Sequence, residues 1–323
     1  MRDTLLFVGA LIPLTVGADW LVRGAAALAQ RFGVSPLVVG LTVVAFGTSA
    51  PELFVSGRAA LAGEAAFAVA NVMGSTAANV GLIVGIGALI RPIAVHHRVI
   101  ARETPLVIVV LSLVMALSLN DVLGRLDGFV LLAGWALYLY FLLRWVRSGA
   151  GEEESRTSEP RPTDKDSGKG VNFWWSFLQI AIGMTMLAFG AEWLVEGAVG
   201  IARILELPDA LVAASMAAVG TSLPELASTM VAAYRRMEDI AIGNVIGSNV
   251  FNLGLVLGTS ALLRPLVLDP SIVVVYVLPA LAFSVILIPL ALHRGTVQRW
   301  EGGLLLALYL AYIAALFAFA PPA

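Results

Sequence analysis

Two short motifs, each ending in a glutamate, recur in this chain. Gly-Thr-Ser-Ala-Pro-Glu occupies 47–52, and Gly-Thr-Ser-Leu-Pro-Glu occupies 220–225, 173 residues later. Both lie within long apolar stretches. A charged side chain at the centre of a membrane costs at least ~3 kcal/mol on insertion scales, so it commonly marks an ion or substrate pathway. We interpret Glu52 and Glu225 as the two halves of one cation site.

Oxygen-bearing side chains accompany each glutamate. Threonine and serine precede it by four and three residues, which places all three side chains on one helical face. A serine and an asparagine, four residues apart, follow in the next apolar stretch of each half. The proline before each glutamate interrupts its helix and frees backbone carbonyls near Gly47 and Gly220. The predicted side-chain ligands are Glu52, Glu225, Thr48, Thr221, Ser49, Ser222, Ser75, Ser248, Asn79 and Asn252.

Such a set of oxygens suits hard cations. Calcium takes six to eight oxygen ligands at about 2.3–2.6 Å in flexible geometry. Two glutamates would balance one divalent ion, and the same oxygens could hold several sodium ions instead. Transition metals are disfavoured because neither histidine nor cysteine occurs in these motifs.

The composition predicts an all-α polytopic membrane protein. Of 323 residues, 59% are hydrophobic and 13% charged, against about 25% charged in soluble domains. The absence of cysteine excludes disulfides and thiolate metal sites, and no basic stripe favours a nucleic-acid partner. Apolar runs long enough to cross a bilayer predict ten transmembrane helices at 4–28, 35–62, 67–90, 99–119, 127–146, 173–201, 209–233, 239–263, 270–292 and 301–319.

The two halves of the chain align without gaps at a constant offset of 173 residues. Matching stretches include 17–22 with 190–195, 47–49 with 220–222, and 71–81 with 244–254. Because each half holds five predicted spans, an odd number, the second must insert upside down. We predict two inverted five-helix repeats, 1–147 and 172–323, joined by a polar, flexible linker at 148–171.

Lysine and arginine predict the orientation. With the N-terminus outside, fifteen of these residues face inward and five outward, as the positive-inside rule requires. Both termini are therefore expected outside a multi-pass inner (plasma) membrane, with the linker in the cytoplasm. Asp19 has Arg23 four residues later, which predicts a salt bridge near the cytoplasmic end rather than a site role.

These residues resemble the calcium/cation antiporter superfamily, specifically its prokaryotic sodium/calcium exchanger branch. The motifs are GTSAPE with GSTAAN at 74–79, and GTSLPE with GSNVFN at 247–252. The resemblance implies a calcium site made by Glu52, Glu225, Thr48 and Thr221. It implies sodium sites made by Ser49, Ser75, Ser222 and Ser248 with the carbonyls of Ala45 and Ala218, while Asn79 and Asn252 complete the centre.

Two positions bear on the coupling ion. Asn252 stands where potassium-dependent relatives carry aspartate, which disfavours potassium co-transport, and the Gly-Thr-Ser triplet favours sodium over protons. Thr76 departs from the family pattern, which usually has asparagine there.

The leading hypothesis is a secondary antiporter that exchanges calcium for sodium by alternating access. An alternative is a proton-coupled calcium/cation antiporter, and a distant one is a cation channel. We do not expect an enzyme, since no catalytic constellation occupies the spans. No cofactor is expected. The expected transported ions are Ca2+ and Na+, the expected surroundings are the lipid bilayer, and the expected oligomeric state is a monomer.

Overall fold

The computed structural model describes residues 2–95, 99–147, 172–204 and 219–319. These segments are almost wholly helical. The helices are α1 Arg2–Phe32, α2 Pro36–Thr48, α3 Ala50–Ala62, α4 Ala65–Ile90, α5 Val99–Leu117, α6 Arg125–Arg147, α7 Phe173–Ile204, α8 Leu223–Tyr234, α9 Glu238–Leu263, α10 Pro270–Leu292 and α11 Arg299–Phe319.

The described helices confirm a polytopic membrane protein. Eight of them are long and apolar enough to cross a bilayer, and the count becomes nine if the bent pair α2–α3 forms one span. The seventh predicted span, 209–233, is described only from residue 219 onward. The predicted total of ten therefore stays a prediction, and the linker at 148–171 lies outside the described residues.

The first helices of the two halves, α1 and α7, pack against each other in opposite directions. Gly17 faces Gly183 and Gly24 faces Ser176, so the paired positions run in opposite order along the chain. A Cβ atom at Gly17 would lie 2.8 Å from the carbonyl oxygen of Gly183. Glycine is required here because the two backbones approach this closely, a common arrangement between membrane helices.

Among the described residues, buried apolar side chains form two clusters, with Leu226 packed against both. The larger one draws on α2 to α6 and α9 to α11. The smaller one joins α1 and α7 to α2, α8 and α9, with Leu21, Val44, Leu187 and Ile240 among its members. The α1–α7 pair therefore rests on the remaining helices through its own apolar interface.

Four two-residue strands link loops of the two halves. They are β1 Ile93–Ala94, β2 Val122–Leu123, β3 Leu266–Val267 and β4 Thr296–Val297. β1 pairs antiparallel with β4, and β2 pairs antiparallel with β3. Each pairing thus joins a loop of the first half to a loop of the second.

The close approach of α1 and α7 predicts a position-specific effect of alanine. Gly17→Ala should destabilise the protein by about 1–3 kcal/mol because its methyl group overlaps the α7 backbone. Gly9→Ala on the same helix is the matched control, since a Cβ atom there meets nothing within 4 Å. Thermal unfolding in detergent would measure both variants. Equal unfolding temperatures would contradict the predicted contact.

Candidate cation site

The helix that carries the first motif breaks inside it. α2 ends at Thr48, α3 begins at Ala50, and their axes differ by 46°. Ser49 lies between them with φ −85° and ψ 3°, and Pro51 occupies the first turn of α3. The predicted interruption at Pro51 is confirmed. Glu52 follows in that first turn, next to backbone N–H groups that have no helical partner and carry partial positive charge.

The second motif resembles the first at its serine and glutamate, although Gly220 and Thr221, unlike Gly47 and Thr48, are not helical. Ser222 has φ −85° and ψ 5°, and α8 begins after it with Pro224 and Glu225 in its first turn. Both glutamate side chains are fully buried, at 0% exposure. Ser49, three residues before Glu52, donates its hydroxyl to Oε1 of Glu225 at 3.0 Å, so the two motifs meet. The structure therefore brings two acidic groups, each at a helix N-terminus, to one place in the interior.

Local π-helix within α4 and α9 lies beside the motifs. It spans Asn79–Val84 in α4 and Asn252–Val256 in α9. Each segment begins at the asparagine predicted from the sequence as a ligand. A π-helical turn widens the helix and shifts the register of the residues that follow, a feature often found at functional sites.

Hydroxyl groups cross-connect the two halves around the glutamates. Ser49 donates to Oε1 of Glu225 at 3.0 Å. Ser222 donates to the hydroxyl of Ser75 at 3.0 Å, and Ser75 lies 3.4 Å from Oγ1 of Thr221. The hydroxyls of Thr48 and Ser248, which also belong to different halves, are 3.4 Å apart. The structure thus gathers the predicted serines and threonines into one buried polar cluster.

Several oxygen atoms in this cluster have no hydrogen bond within the described part of the chain. They are both carboxylate oxygens of Glu52, Oε2 of Glu225, Oδ1 of Asn79 and Oδ1 of Asn252. A buried acceptor that lacks a partner is unfavourable by roughly 1–3 kcal/mol, and more if charged. Cations or protons would satisfy these oxygens, so their arrangement fits a site for positive charge.

The two central asparagines are not equivalent. Asn79 donates its amide N–H to Oδ1 of Asn249 at 2.8 Å. The position matching Asn249 in the first half is Thr76, whose hydroxyl instead bonds the carbonyl of Val72 in its own helix at 2.8 Å. Asn252 therefore lacks the corresponding contact, and both polar atoms of its amide are buried without a hydrogen bond among the described residues.

One of the two predicted carbonyl ligands can be located. The oxygen of Ala45 accepts the N–H of Ser49 at 2.9 Å and lies 3.4 Å from the hydroxyl of Thr48, directly before the helix break. Ala218 lies outside the described residues. In the second half, the oxygen of Gly220 accepts the N–H of Leu223 at 3.4 Å.

Five buried polar residues at this site were not predicted as part of it: Asn71, Asn244, Ser56, Thr229 and Asn249. Asn71 and Asn244 match at the 173-residue offset, and so do Ser56 and Thr229. The signal in the sequence that could have identified these four is that a polar residue recurs at the same position in the apolar stretches of both halves.

Acidic residues away from the motifs form ordinary ion pairs. Asp19 pairs with Arg23 at 3.0 Å, which confirms the salt bridge expected from their spacing. Asp19 also pairs with Arg235, at the end of α8, a contact that the sequence did not predict. Glu196 pairs with Arg2 at 2.6 Å and so joins α7 to α1.

A cation at this site would depend mainly on neutral oxygens. Among the described residues, no group of three or more His, Cys, Asp and Glu side chains could hold a metal ion. Two carboxylates with hydroxyl, amide and carbonyl oxygens are instead the donor set of calcium or sodium sites.

Comparison with known proteins decides the family. The sequence profile described as "Sodium/calcium exchanger protein" matches residues 3–144 and 175–318. The chain belongs to this family. The sodium/calcium exchanger MaX1 of Methanosarcina acetivorans is 31% identical, over 97% of this chain and 98% of that protein. Inner membrane protein YrbG of Escherichia coli is 35% identical, over 84% and 82% of the two chains.

A solved structure of this family has the same fold. It is the sodium-calcium exchanger NCX_Mj soaked with 2.5 mM Na+ and 0.1 mM Ca2+, which is 31% identical and covers 98% of this chain and 99% of its own. The TM-score is 0.81. The sequence-based assignment to the sodium/calcium exchangers is confirmed. The protein is a membrane-embedded member of a cation exchanger family, which comprises transporters rather than enzymes.

Two serines on α9 provide a matched test of the site. Ser248 lies in the polar cluster, whereas Ser260 is equally buried but bonds the carbonyl of Val256 in its own helix at 2.8 Å. Ser248→Ala should weaken cation binding about fivefold, which corresponds to the net free energy of about one hydrogen bond. Ser260→Ala should leave it unchanged. Competition between sodium and radioactive calcium on purified protein measures both, and equal effects would contradict the proposed location.

Proposed function

We propose that this exchanger moves calcium against sodium through one buried site between the two Gly-Thr-Ser-x-Pro-Glu motifs. The observation that carries the proposal is the pair of fully buried glutamates, three of whose four carboxylate oxygens have no hydrogen bond from any described residue. Buried charge in a low-dielectric interior is strongly unfavourable unless it is paired. A cation of matching charge is the partner that these two carboxylates require.

Charge balance accounts for the exchange of unlike ions. One calcium ion neutralises Glu52 and Glu225 together, and more than one sodium ion can do the same with help from the surrounding oxygens. A partly loaded site retains uncompensated negative charge, which disfavours passage through an intermediate closed on both sides. Fully loaded states cross that intermediate, so the flow of one ion becomes coupled to the flow of the other.

The proposed distribution of ions follows the family resemblance. Calcium binds Glu52, Glu225, Thr48 and Thr221. Sodium occupies sites made by Ser49, Ser75, Ser222 and Ser248 with the carbonyls of Ala45 and Ala218, and Asn79 and Asn252 complete the centre. The hydroxyl contacts of Ser49 with Glu225 and of Ser222 with Ser75 support the placement of sodium beside the calcium position.

The ten-span architecture with inverted repeats is part of the same proposal. It is supported by the opposed directions of α1 and α7 and by the two strand pairs, each of which joins loops that the topology assigns to one face. Arg91 pairs with Glu238 at 3.0 Å, both on the proposed cytoplasmic face. Arg264 donates to the carbonyl of Leu61 at 3.1 Å, both on the outer face. The termini then lie outside the inner membrane, and 148–171 is cytoplasmic.

Alternating access would come from movement of α1 and α7 across the other helices. An apolar cluster of its own joins this pair to α2, α8 and α9. This supports the view that the α1–α7 pair and the remaining helices are two bodies that can slide on one another. The ion pair between Asp19 and Arg235 bridges the two bodies on the proposed cytoplasmic face. Such motion is the usual mechanism of transporters built from inverted repeats.

Neutralising either site glutamate should abolish exchange. In Glu52→Gln or Glu225→Gln, a single carboxylate cannot balance calcium, so sodium-driven calcium uptake into proteoliposomes should fall at least a hundredfold, about 2.7 kcal/mol. Glu64→Gln is the matched control, because Glu64 is exposed in the turn between α3 and α4. Retained exchange in either site variant would remove the central claim.

The coupling ion can be identified by imposed gradients. Calcium uptake should require sodium on the opposite side of the membrane and should not respond to potassium. Sodium-independent uptake driven by a pH gradient alone would establish the proton-coupled alternative. Calcium flux without any counter-ion would indicate a channel.

Fixing α1 to α8 should stop transport. Because the chain has no cysteine, Asp19→Cys and Arg235→Cys can be combined and joined by a cleavable bifunctional thiol reagent. We expect exchange to be lost on crosslinking and recovered on cleavage, while each single variant treated alike stays active. Full activity of the crosslinked protein would rule out sliding of α1 against α8.

A further inference from the structure

Two buried asparagines contact the threonines of the proposed calcium site. Asn71 on α4 and Asn244 on α9 match at the 173-residue offset and are each 1% exposed. Neither belongs to the set of side chains assigned to the ions. Their hydrogen bonds nevertheless lead directly to Thr221 and Thr48.

The bonds of Asn71 join both halves of the chain. Its amide nitrogen donates to the hydroxyl of Ser56 on α3 at 2.9 Å. Its carbonyl oxygen accepts the hydroxyl proton of Thr221 at 3.0 Å. The amide is thus held by a residue of its own half and orients a residue of the opposite half.

Asn244 repeats this arrangement in the second half. Its amide nitrogen donates to the hydroxyl of Thr229 on α8 at 3.1 Å, and its carbonyl oxygen accepts from Thr48 at 3.1 Å. Ser56 and Thr229 occupy matching positions four residues after the glutamates. The same three-residue chain of hydrogen bonds therefore occurs twice, once for each threonine.

The direction of the threonine proton determines what the hydroxyl can do. A hydroxyl carries one proton and two lone pairs, and only the lone pairs can bind a cation. The amide oxygen of asparagine can only accept, so a threonine that donates to it points its proton at the asparagine and not at a carboxylate. The hydroxyls of Thr48 and Thr221 also lie close to the carboxylates of Glu225 and Glu52, respectively. Without the asparagine, each would donate to its glutamate and occupy an oxygen that the cation needs.

We propose that Asn71 and Asn244 are positioning residues that turn the hydroxyl protons of Thr221 and Thr48 away from the cation. This inference rests on the proposed calcium site. It assigns the two asparagines no contact with the ion, because their carbonyl oxygens are committed to the threonines. Their effect on calcium binding must then pass through the threonine hydroxyls.

A double-mutant cycle on the full-length protein tests this dependence. Asn71→Leu and Thr221→Ala should each weaken equilibrium binding of radioactive calcium about tenfold, the effect of one hydrogen bond to a charged site. The double variant should bind calcium as tightly as whichever single variant binds it more weakly. Once Thr221→Ala has removed the hydroxyl, the asparagine has nothing left to orient, so its loss adds no further effect. Asn244→Leu with Thr48→Ala should behave in the same way.

Thr76→Val is the matched control on α4. Thr76 is fully buried, and its hydroxyl bonds its own helix rather than the site. Its removal should leave the calcium dissociation constant unchanged even if it lowers the unfolding temperature. A calcium affinity that falls with Thr76→Val as much as with Asn71→Leu would overturn the proposal, since general loss of packing would then explain both.

Asn71→Asp tests whether an oxygen acceptor at position 71 is enough for calcium binding, or whether the neutral amide itself is needed. Aspartate keeps an oxygen toward Thr221, and Ser56 can rotate to donate to it, so calcium affinity should stay within about threefold of wild type or increase. Affinity as low as in Asn71→Leu would overturn the proposal, as would multiplicative effects in the double variants. Normal calcium binding by the Leu variants would overturn it while leaving the proposed function intact. Failure of the wild type to bind calcium in this assay would overturn both.

Discussion

The burial of two carboxylates in an apolar helical bundle is the constraint on which the rest of this structure depends. Glu52 and Glu225 are both fully enclosed, and Ser49 of the first motif donates to Glu225 of the second, so the two acidic groups share one part of the interior. Such a pair is tolerated only where local dipoles, hydroxyls or bound cations compensate the charge. The helix N-termini beside both glutamates and the hydroxyl of Ser49, which donates to Glu225, supply part of this compensation from within the protein, and bound cations would supply the remainder.

Irregular backbone, in the form of helix breaks and π-helical turns, allows helices to place many oxygen atoms around one site. A continuous helix uses its carbonyls internally and presents only side chains. The break at Ser49 and the start of α8 after Ser222 place each glutamate at a helix start, and the π-helical segments begin at Asn79 and Asn252. These distortions are acceptable in an apolar bundle because neighbouring helices cover the irregular backbone, with close contacts such as Gly17 with Gly183 elsewhere holding the bundle together.

The sequence predicted the features that depend on local chemistry. Pro51 specified a helix break, Asp19 and Arg23 specified a salt bridge by spacing, and the recurring motifs predicted which side chains would meet. It did not predict the pairing of Asp19 with Arg235, or that Asn79 would bond Asn249 while Asn252 would have no such partner among the described residues. These contacts depend on how helices distant in sequence pack. The π-helical segments were also missed, because they too have no simple residue signature.

The hydrogen bonds from Thr221 to Asn71 and from Thr48 to Asn244 have a consequence for biogenesis. Both cross from one half of the chain to the other. During synthesis, α2 to α4 enter the bilayer before α8 and α9, so the carbonyl oxygen of Asn71 cannot yet accept from Thr221, and the hydroxyl of Thr48 cannot yet donate to Asn244. The first half therefore enters the membrane with these hydrogen bonds of the site still unmade. Covalent continuity of the two halves shortens that interval, which favours a single fused chain over two separately made subunits.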